Sequence, residues 1–349
     1  MATARAQRFA EQGKTVLFLC FNRQLADWLK AELPERYDKK ITISTYHELC
    51  YDWCARAGIE WDRGLTSAAA EPGSAIGREQ DHYWNDRVPE MLLQAIDKVP
   101  ERFNAVIVDE GQDFRPNWWT TIELLNSEPN NGALYVFYDP AQNLRREEEP
   151  AFPELGQPYE LPTNCRNTRE IALKCSRIRE VEIRVRPGAP QGIAPSWIHA
   201  RSKEEQIRAC FRQLSEWLVQ GGLKYSQIAL MCMGRPPASS LGGLTRLGNH
   251  PLIGTIAMGS LEQSLQTGNH LNRWRTGDAI LVTSIRRFRG LESDAVIIFD
   301  LPLLTSADFP TRYMRDCEQP TVADLYVALS RGKHLAAVIS FVPQPGQFG

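Results

Sequence analysis

Apolar residues along this chain keep two rhythms. Residues 16–20, 105–108 and 134–138 are short apolar runs without alternation, the pattern of strands covered on both faces in a parallel sheet. Residues 41–44 add a further short strand. Between these runs the spacing becomes helical. A helix over 2–12 stops at Gly13, Asn22 caps another through about Leu33, and a third follows Thr45 to about Arg56. Residues 81–99 place Trp84, Val88, Met91, Leu92, Ala95 and Ile96 near one helical face, and Pro116 opens a helix to about Asn126.

This strand–helix alternation predicts a parallel α/β domain over residues 1–150, with a short helical insertion at about 50–100. The acidic, proline-rich stretch 147–158 marks a boundary. A second α/β domain is expected over 151–349, with strands at 228–233, 280–284, 295–300 and 335–341. It adds a long amphipathic helix over 203–220, and another over 321–331. Residues 234–278, rich in Gly and Ser, read as an insertion.

Composition narrows the class without naming a function. With 349 residues, 43% hydrophobic and 23% charged, the chain can form two cores and is globular rather than disordered. A net charge of −2 gives no overall pull toward nucleic acid, so such contacts must come from local patches. The eight cysteines include no Cys-x-x-Cys pair, which points to reduced thiols and a cytoplasmic setting. No run reaches membrane length and no signal peptide is visible, so no membrane partner is expected.

Chemistry collects where strands end. Asp109, Glu110 and Asp113 follow the 105–108 strand, and open α/β sheets bind ligands at the carboxyl ends of their strands. One carboxylate there can hold Mg²⁺ while another positions a water, the two roles that nucleoside triphosphate hydrolysis needs. Gly13-Lys14-Thr15 imitates the end of a phosphate-binding loop. Arg8 stands where the first glycine belongs, and the order is helix then strand rather than strand then helix.

Asp109-Glu110-Gly111-Gln112-Asp113 resembles the Asp-Glu-x-Gln-Asp motif of UvrD/Rep-like superfamily 1 DNA helicases. In that family's order, Phe21-Asn22 and Thr45-Tyr46-His47 are similar to its two DNA-contacting motifs. Asp139-Pro140-Ala141-Gln142 and Asn164-Cys165-Arg166-Asn167-Thr168 resemble the third and fourth. Thr283 to Glu292, with Arg289-Gly290-Leu291-Glu292, and Tyr326 to Arg331 resemble the fifth and sixth. The resemblance implies two RecA-like parallel-sheet domains, the first without its initial strand and phosphate-binding loop. It implies a 3′ to 5′ translocase or helicase using ATP and Mg²⁺ on single-stranded or partly duplex DNA. The short accessory segments further resemble helicases fused to a nuclease-related domain.

By that resemblance Asp109 holds Mg²⁺, Glu110 activates water and Gln142 senses the γ-phosphate. Arg166 and Arg331 supply guanidinium groups, while Gly290 and Glu292 belong to the nucleotide site. Phe21, Asn22, Thr45, His47, Thr283, Arg286 and Arg289 are the implied DNA contacts, with Arg287 beside them. Departures include Cys165 at an aromatic's position and Asn143-Leu144-Arg145-Arg146 where base-stacking aromatics are usual. The lysine-bearing loop is also missing, so the chain is expected to hydrolyse ATP poorly, as part of a longer helicase. A non-catalytic module binding DNA or a partner protein is the alternative; a kinase-like P-loop enzyme fits less well, since nothing supplies the loop.

Overall fold

The computed structural model describes residues 1–61, 82–129, 131–139, 152–233, 239–254, 270–302 and 322–346. It is a mixed α/β fold with parallel sheets, and the chain forms two compact units, Met1–Pro158 and Tyr159–Gly349.

In the first unit, β1 (Val16–Cys20), β2 (Ile41–Thr45), β3 (Ala105–Asp109) and β4 (Ala133–Val136) share one parallel sheet in the order β2-β1-β3-β4. Two of the three unalternated runs have their expected cause: every residue of β1 is buried, and so are Ala105 to Val108. The 134–138 run, expected to be buried, instead forms the last strand in the sheet order and is only partly covered, with Tyr135 and Tyr138 exposed. Leu17, Leu19, Val106 and Val108 meet a core of Tyr46, Leu49, Trp53, Leu92, Ile96 and Trp118. Helix Ala2–Glu11 packs against β1 and β3, burying Ala2, Ala6, Phe9 and Ala10. Gly13, in the left-handed region at φ 80°, turns the chain into β1. Its neighbours Lys14 and Thr15 lead into β1, the helix-then-strand order that a phosphate-binding loop does not have. The helix expected over 81–99 starts as a π-helical turn, Tyr83–Arg87, and becomes α-helical over Val88–Lys98.

The second unit holds β7 (Ser196–His199), β8 (Ile228–Cys232), β9 (Arg246–Leu247), β10 (His250–Gly254), β11 (Ile280–Ser284), β12 (Ser293–Leu301) and β13 (Gly332–Ser340). Their order is β7-β13-β12-β8-β11-β10-β9, and only the β9–β10 pair is antiparallel. Helix Lys203–Val219 buries Ala209, Cys210, Leu214 and Trp217 on this unit's core. A separate pair, β5 (Thr163–Asn164) and β6 (Arg184–Val185), precedes the sheet.

The insertion expected over 234–278 needs correction. Its residues 246–254 form β9 and β10 and extend the main sheet beside β11. Trp274, also in that stretch, is buried and donates its indole N–H to the Ile228 carbonyl at 2.9 Å. Gly and Ser had masked a sheet edge, where one strand has two residues and the other begins His-Pro. Among the described residues, no helix is long and apolar enough to cross a membrane.

Candidate functional site

Register brings the first unit's chemistry to one edge. Cys20, the last residue of β1, pairs with both Thr45 and Asp109, so Phe21, Asn22, Thr45, Asp109 and Glu110 emerge side by side. On the far side of β3, Val108 pairs with Val136, and the chain runs on to Asp139. Glu110 takes φ 55°, the left-handed region that costs a residue with a Cβ roughly 1–2 kcal/mol. A backbone held this way against its preference marks a position where geometry matters more than stability. Gln112, 3% exposed, fixes the arrangement: its amide donates to Glu110 Oε2 at 2.7 Å, and its carbonyl accepts the Asp139 N–H at 3.2 Å. The Glu110 N–H donates to Asp109 Oδ1 at 3.2 Å. Gln142, the expected phosphate sensor, lies outside the described residues.

Two of the expected DNA contacts also serve the fold. The Asn22 side chain caps helix Arg23–Glu32 by accepting from Gln24 N–H, and Thr45 Oγ1 caps helix Tyr46–Ala57 by accepting from Glu48 N–H. Beside them stands an aromatic stack whose hub sequence reasoning missed. Trp118, buried in helix Pro116–Leu124, lies nearly parallel to Tyr46 at 4.2 Å between ring centroids. Its ring is also within 16° of the Phe21 plane at 6.3 Å, and Phe21 is 37% exposed. His47 meets Trp118 edge-on at 5.0 Å and Trp84 at 4.4 Å. The signal was present as Asn-Trp-Trp on a short helix after the acidic motif, though tryptophans there read first as core.

In the second unit the fourth, fifth and sixth stretches come together. Ser293 pairs with Gly332, so Glu292 sits beside the turn that carries Arg331 and Lys333. Glu292 Oε2 receives Arg166 Nε at 2.9 Å, and its Oε1 receives Lys333 Nζ at 2.7 Å. Arg166 therefore has an acidic partner that its sequence neighbours did not reveal. Burial pushes the Glu292 carboxyl up, but the Lys333 hydrogen bond and the charges of Arg166, Lys333 and Arg331 outweigh it. The net shift is downward, so Glu292 stays ionised below the usual glutamate range. Arg331 is 1% exposed, and its guanidinium donates to the Val327 carbonyl and to Ser330 Oγ. Buried Asn167 ties the stretches together, donating to the Ser330 carbonyl at 3.1 Å and the Gly332 carbonyl at 2.6 Å. Asn164 Oδ1 in turn accepts the N–H groups of Arg166 and Asn167.

The remaining expected contacts scatter in exposure. Thr283 is buried at 2%, Arg286 is exposed, Arg287 is half-buried, and Arg289 is buried at 6%. Gly290 takes φ 80°, which a side chain would strain, so the glycine of Arg-Gly-Leu-Glu serves the turn into β12. At the other end of β12, Asp300 also adopts a left-handed backbone, φ 56°, and accepts from both Ser240 N–H and Ser240 Oγ. Burial pushes its carboxyl up, only partly opposed by those hydrogen bonds. Cys20, Cys50, Cys175, Cys210 and Cys232 have thiols pushed up by burial, those of Cys175 and Cys232 to about 12. Cys165 is exposed.

Among the described residues, no group of three His, Cys, Asp or Glu side chains could cage a metal. The half-buried Asp109 beside Glu110 suits Mg²⁺ all the same, because that ion keeps waters and takes one or two carboxylates plus substrate phosphates.

No family model matches the chain, and no curated protein matches it. Among solved structures, the chain is similar to the C-terminal domain of a possible DNA helicase from Lactobacillus plantarum WCFS1. Identity is 14%, the match covers 53% of this chain and 91% of that domain, and the TM-score is 0.30.

Proposed function

We propose that this chain is the body of an ATP-driven DNA translocase or helicase of the UvrD/Rep type, built from two RecA-like units. One observation carries the reading. Four parallel strands present Thr45, Phe21 and Asn22, Asp109 and Glu110, and Asp139 along one carboxyl edge. That edge is where α/β sheets bind ligands, and here acids for a nucleotide lie beside groups suited to a nucleic-acid strand.

Each residue then has a physical task. Asp109 would hold Mg²⁺, which when bound offsets phosphate charge. Glu110, oriented by Gln112, would take a proton from the attacking water. Gln142 would sense the γ-phosphate. In the second unit Arg166 would meet phosphate oxygens, Glu292 would touch the nucleotide, and buried Arg331 would add fixed positive charge beneath them. Phe21 would stack on a base and Asn22, His47 and Arg286 would line the strand's path, while Thr45, Thr283 and Arg289, all buried, would shape that path from beneath.

The test is equilibrium binding of single-stranded, partly duplex and fully duplex oligonucleotides at several salt concentrations. The reading expects a preference for single-stranded or tailed DNA that weakens steeply with salt, and absence of binding at low salt sinks it. A second reading, a binding module without turnover, is favoured by one fact: the 349 residues hold no Gly-x-x-x-x-Gly-Lys-Ser/Thr. Without that loop's N–H groups and lysine, ATP turnover should fall by about 10³-fold or more. Phosphate release from Mg²⁺ATP separates the readings: DNA-stimulated turnover abolished by Glu110→Gln would establish a motor in this chain itself.

A further inference from the structure

Lys333 lies outside every motif considered above, yet it shares a carboxylate with Arg166. Both cations are half-exposed, their side chains 34% and 41% accessible, and both rest on Glu292. Arg331 adds a third positive charge from below, felt at the Glu292 carboxyl. Among the described residues, Glu292 thus carries two ion-paired cations, Arg166 and Lys333, and feels the charge of a third. As a stabilising device the cluster is poor, because exposed ion pairs contribute little and the cations repel one another.

Its donor arithmetic suits another task. An ammonium carries three N–H donors and a guanidinium five. The contacts with Glu292 use Lys333 Nζ once and Arg166 through Nε, so most donors stay available on the solvent side. The Arg fork matches phosphate geometry, and the ammonium supplies a compact second charge beside it. The backbone holds both in place. Lys333 O accepts the Thr168 N–H at 3.0 Å, and Asn167 bonds the carbonyls on either side of Arg331. The Arg166 loop and the start of β13 are therefore one framework rather than two mobile side chains.

We propose that Lys333 is a phosphate-binding residue, forming with Arg166 a two-cation clamp on Glu292 for the polyphosphate of a nucleotide. Glu292 keeps the two heads apart at a fixed spacing and prevents them from folding onto the protein. Lys333 in this role presupposes the nucleotide reading above only for the ligand's identity; the phosphate chemistry stands on the cluster alone.

The probe is inorganic tripolyphosphate, titrated calorimetrically into the full chain at low ionic strength. Binding by the parent chain should weaken about tenfold or more in Lys333→Gln and recover most of its strength in Lys333→Arg. Arg166→Gln should show a comparable loss, which covers the case in which Lys333→Gln fails to fold. Parent and variant circular dichroism spectra are compared first. No binding by the parent, or equal binding by parent and Lys333→Gln, overturns the proposal. A fluorescent oligothymidylate distinguishes the phosphate's source. Affinity for it should change less than about twofold in Lys333→Gln, since a single exposed phosphate contact is spread over a long strand. A tenfold loss there with tripolyphosphate binding intact would assign Lys333 to nucleic-acid backbone and overturn the nucleotide clamp. Failure of the parent to bind oligothymidylate sinks the translocase reading and leaves the tripolyphosphate test standing.

Discussion

Gly111 and Val136 approach so closely that no side chain fits between them: a Cβ on Gly111 would overlap Val136 Cγ1. The contact ties the turn after β3 to the end of β4, and Gly111 N–H donates to the Phe137 carbonyl at 2.9 Å beside it. Gly111→Ala should therefore destabilise the chain by about 1–3 kcal/mol through overpacking. Denaturant unfolding measures it, and Val136→Ala in the same chain should recover part of the loss. Independent, additive effects would show that the two positions do not press on each other.

Asn167 holds two buried carbonyls with one amide group. Asn167→Ala leaves both without that donor, and the expected loss is about 1–3 kcal/mol. Asn167→Asp should cost at least as much, because a carboxylate cannot donate to either carbonyl. Unfolding midpoints of the two variants check this, and a midpoint unchanged in both would remove Asn167 from the framework around Arg331.

Asp300 supplies a pH signature. Burial raises its carboxyl above the ordinary aspartate value, so the folded chain keeps that proton to a higher pH than the unfolded chain. The penalty is absent below the unfolded value, develops as pH rises through the window between the two, and is constant above the folded value. Asp300→Asn removes the ionisation and suits the left-handed backbone at φ 56°. Its stability relative to the parent should therefore rise across that window and then level off. Thermal melts from pH 3 to 7 test the sign; a relative stability that falls with pH would contradict it.

What could be read before the structure was known follows from which forces act locally. Unbroken apolar runs identified β1 and β3 because burial on both faces leaves no room for polar alternation. The acids at 109 and 110 were legible because they end such a run. Asn22 and Thr45 were legible as helix-start residues, since short polar side chains satisfy the first backbone N–H groups there. Long-range partners left no such trace. Glu292 meets Arg166 and Lys333 only because β12 and β13 pair in one register. Trp118 joins Phe21 and Tyr46 only through packing, and a tryptophan on a short helix carries no sign of what it touches. β9 and β10 were hidden because β9 has only two residues and β10 opens His-Pro at the margin of the sheet, where Pro is tolerated as it would not be in a central strand.

The most direct measurement is the fluorescence anisotropy of a labelled oligothymidylate titrated with the parent chain and with Phe21→Ala. Phe21 is the half-exposed end of the Tyr46–Trp118 stack, so losing its ring should remove a base-stacking face while leaving the buried rings in place. Stacking on an aromatic side chain contributes about 1–3 kcal/mol per base. The predicted result is salt-sensitive binding by the parent and an affinity roughly tenfold weaker in Phe21→Ala. Equal affinity of the two chains, or no binding by the parent at low salt, would contradict the assignment of this sheet edge to a nucleic-acid strand.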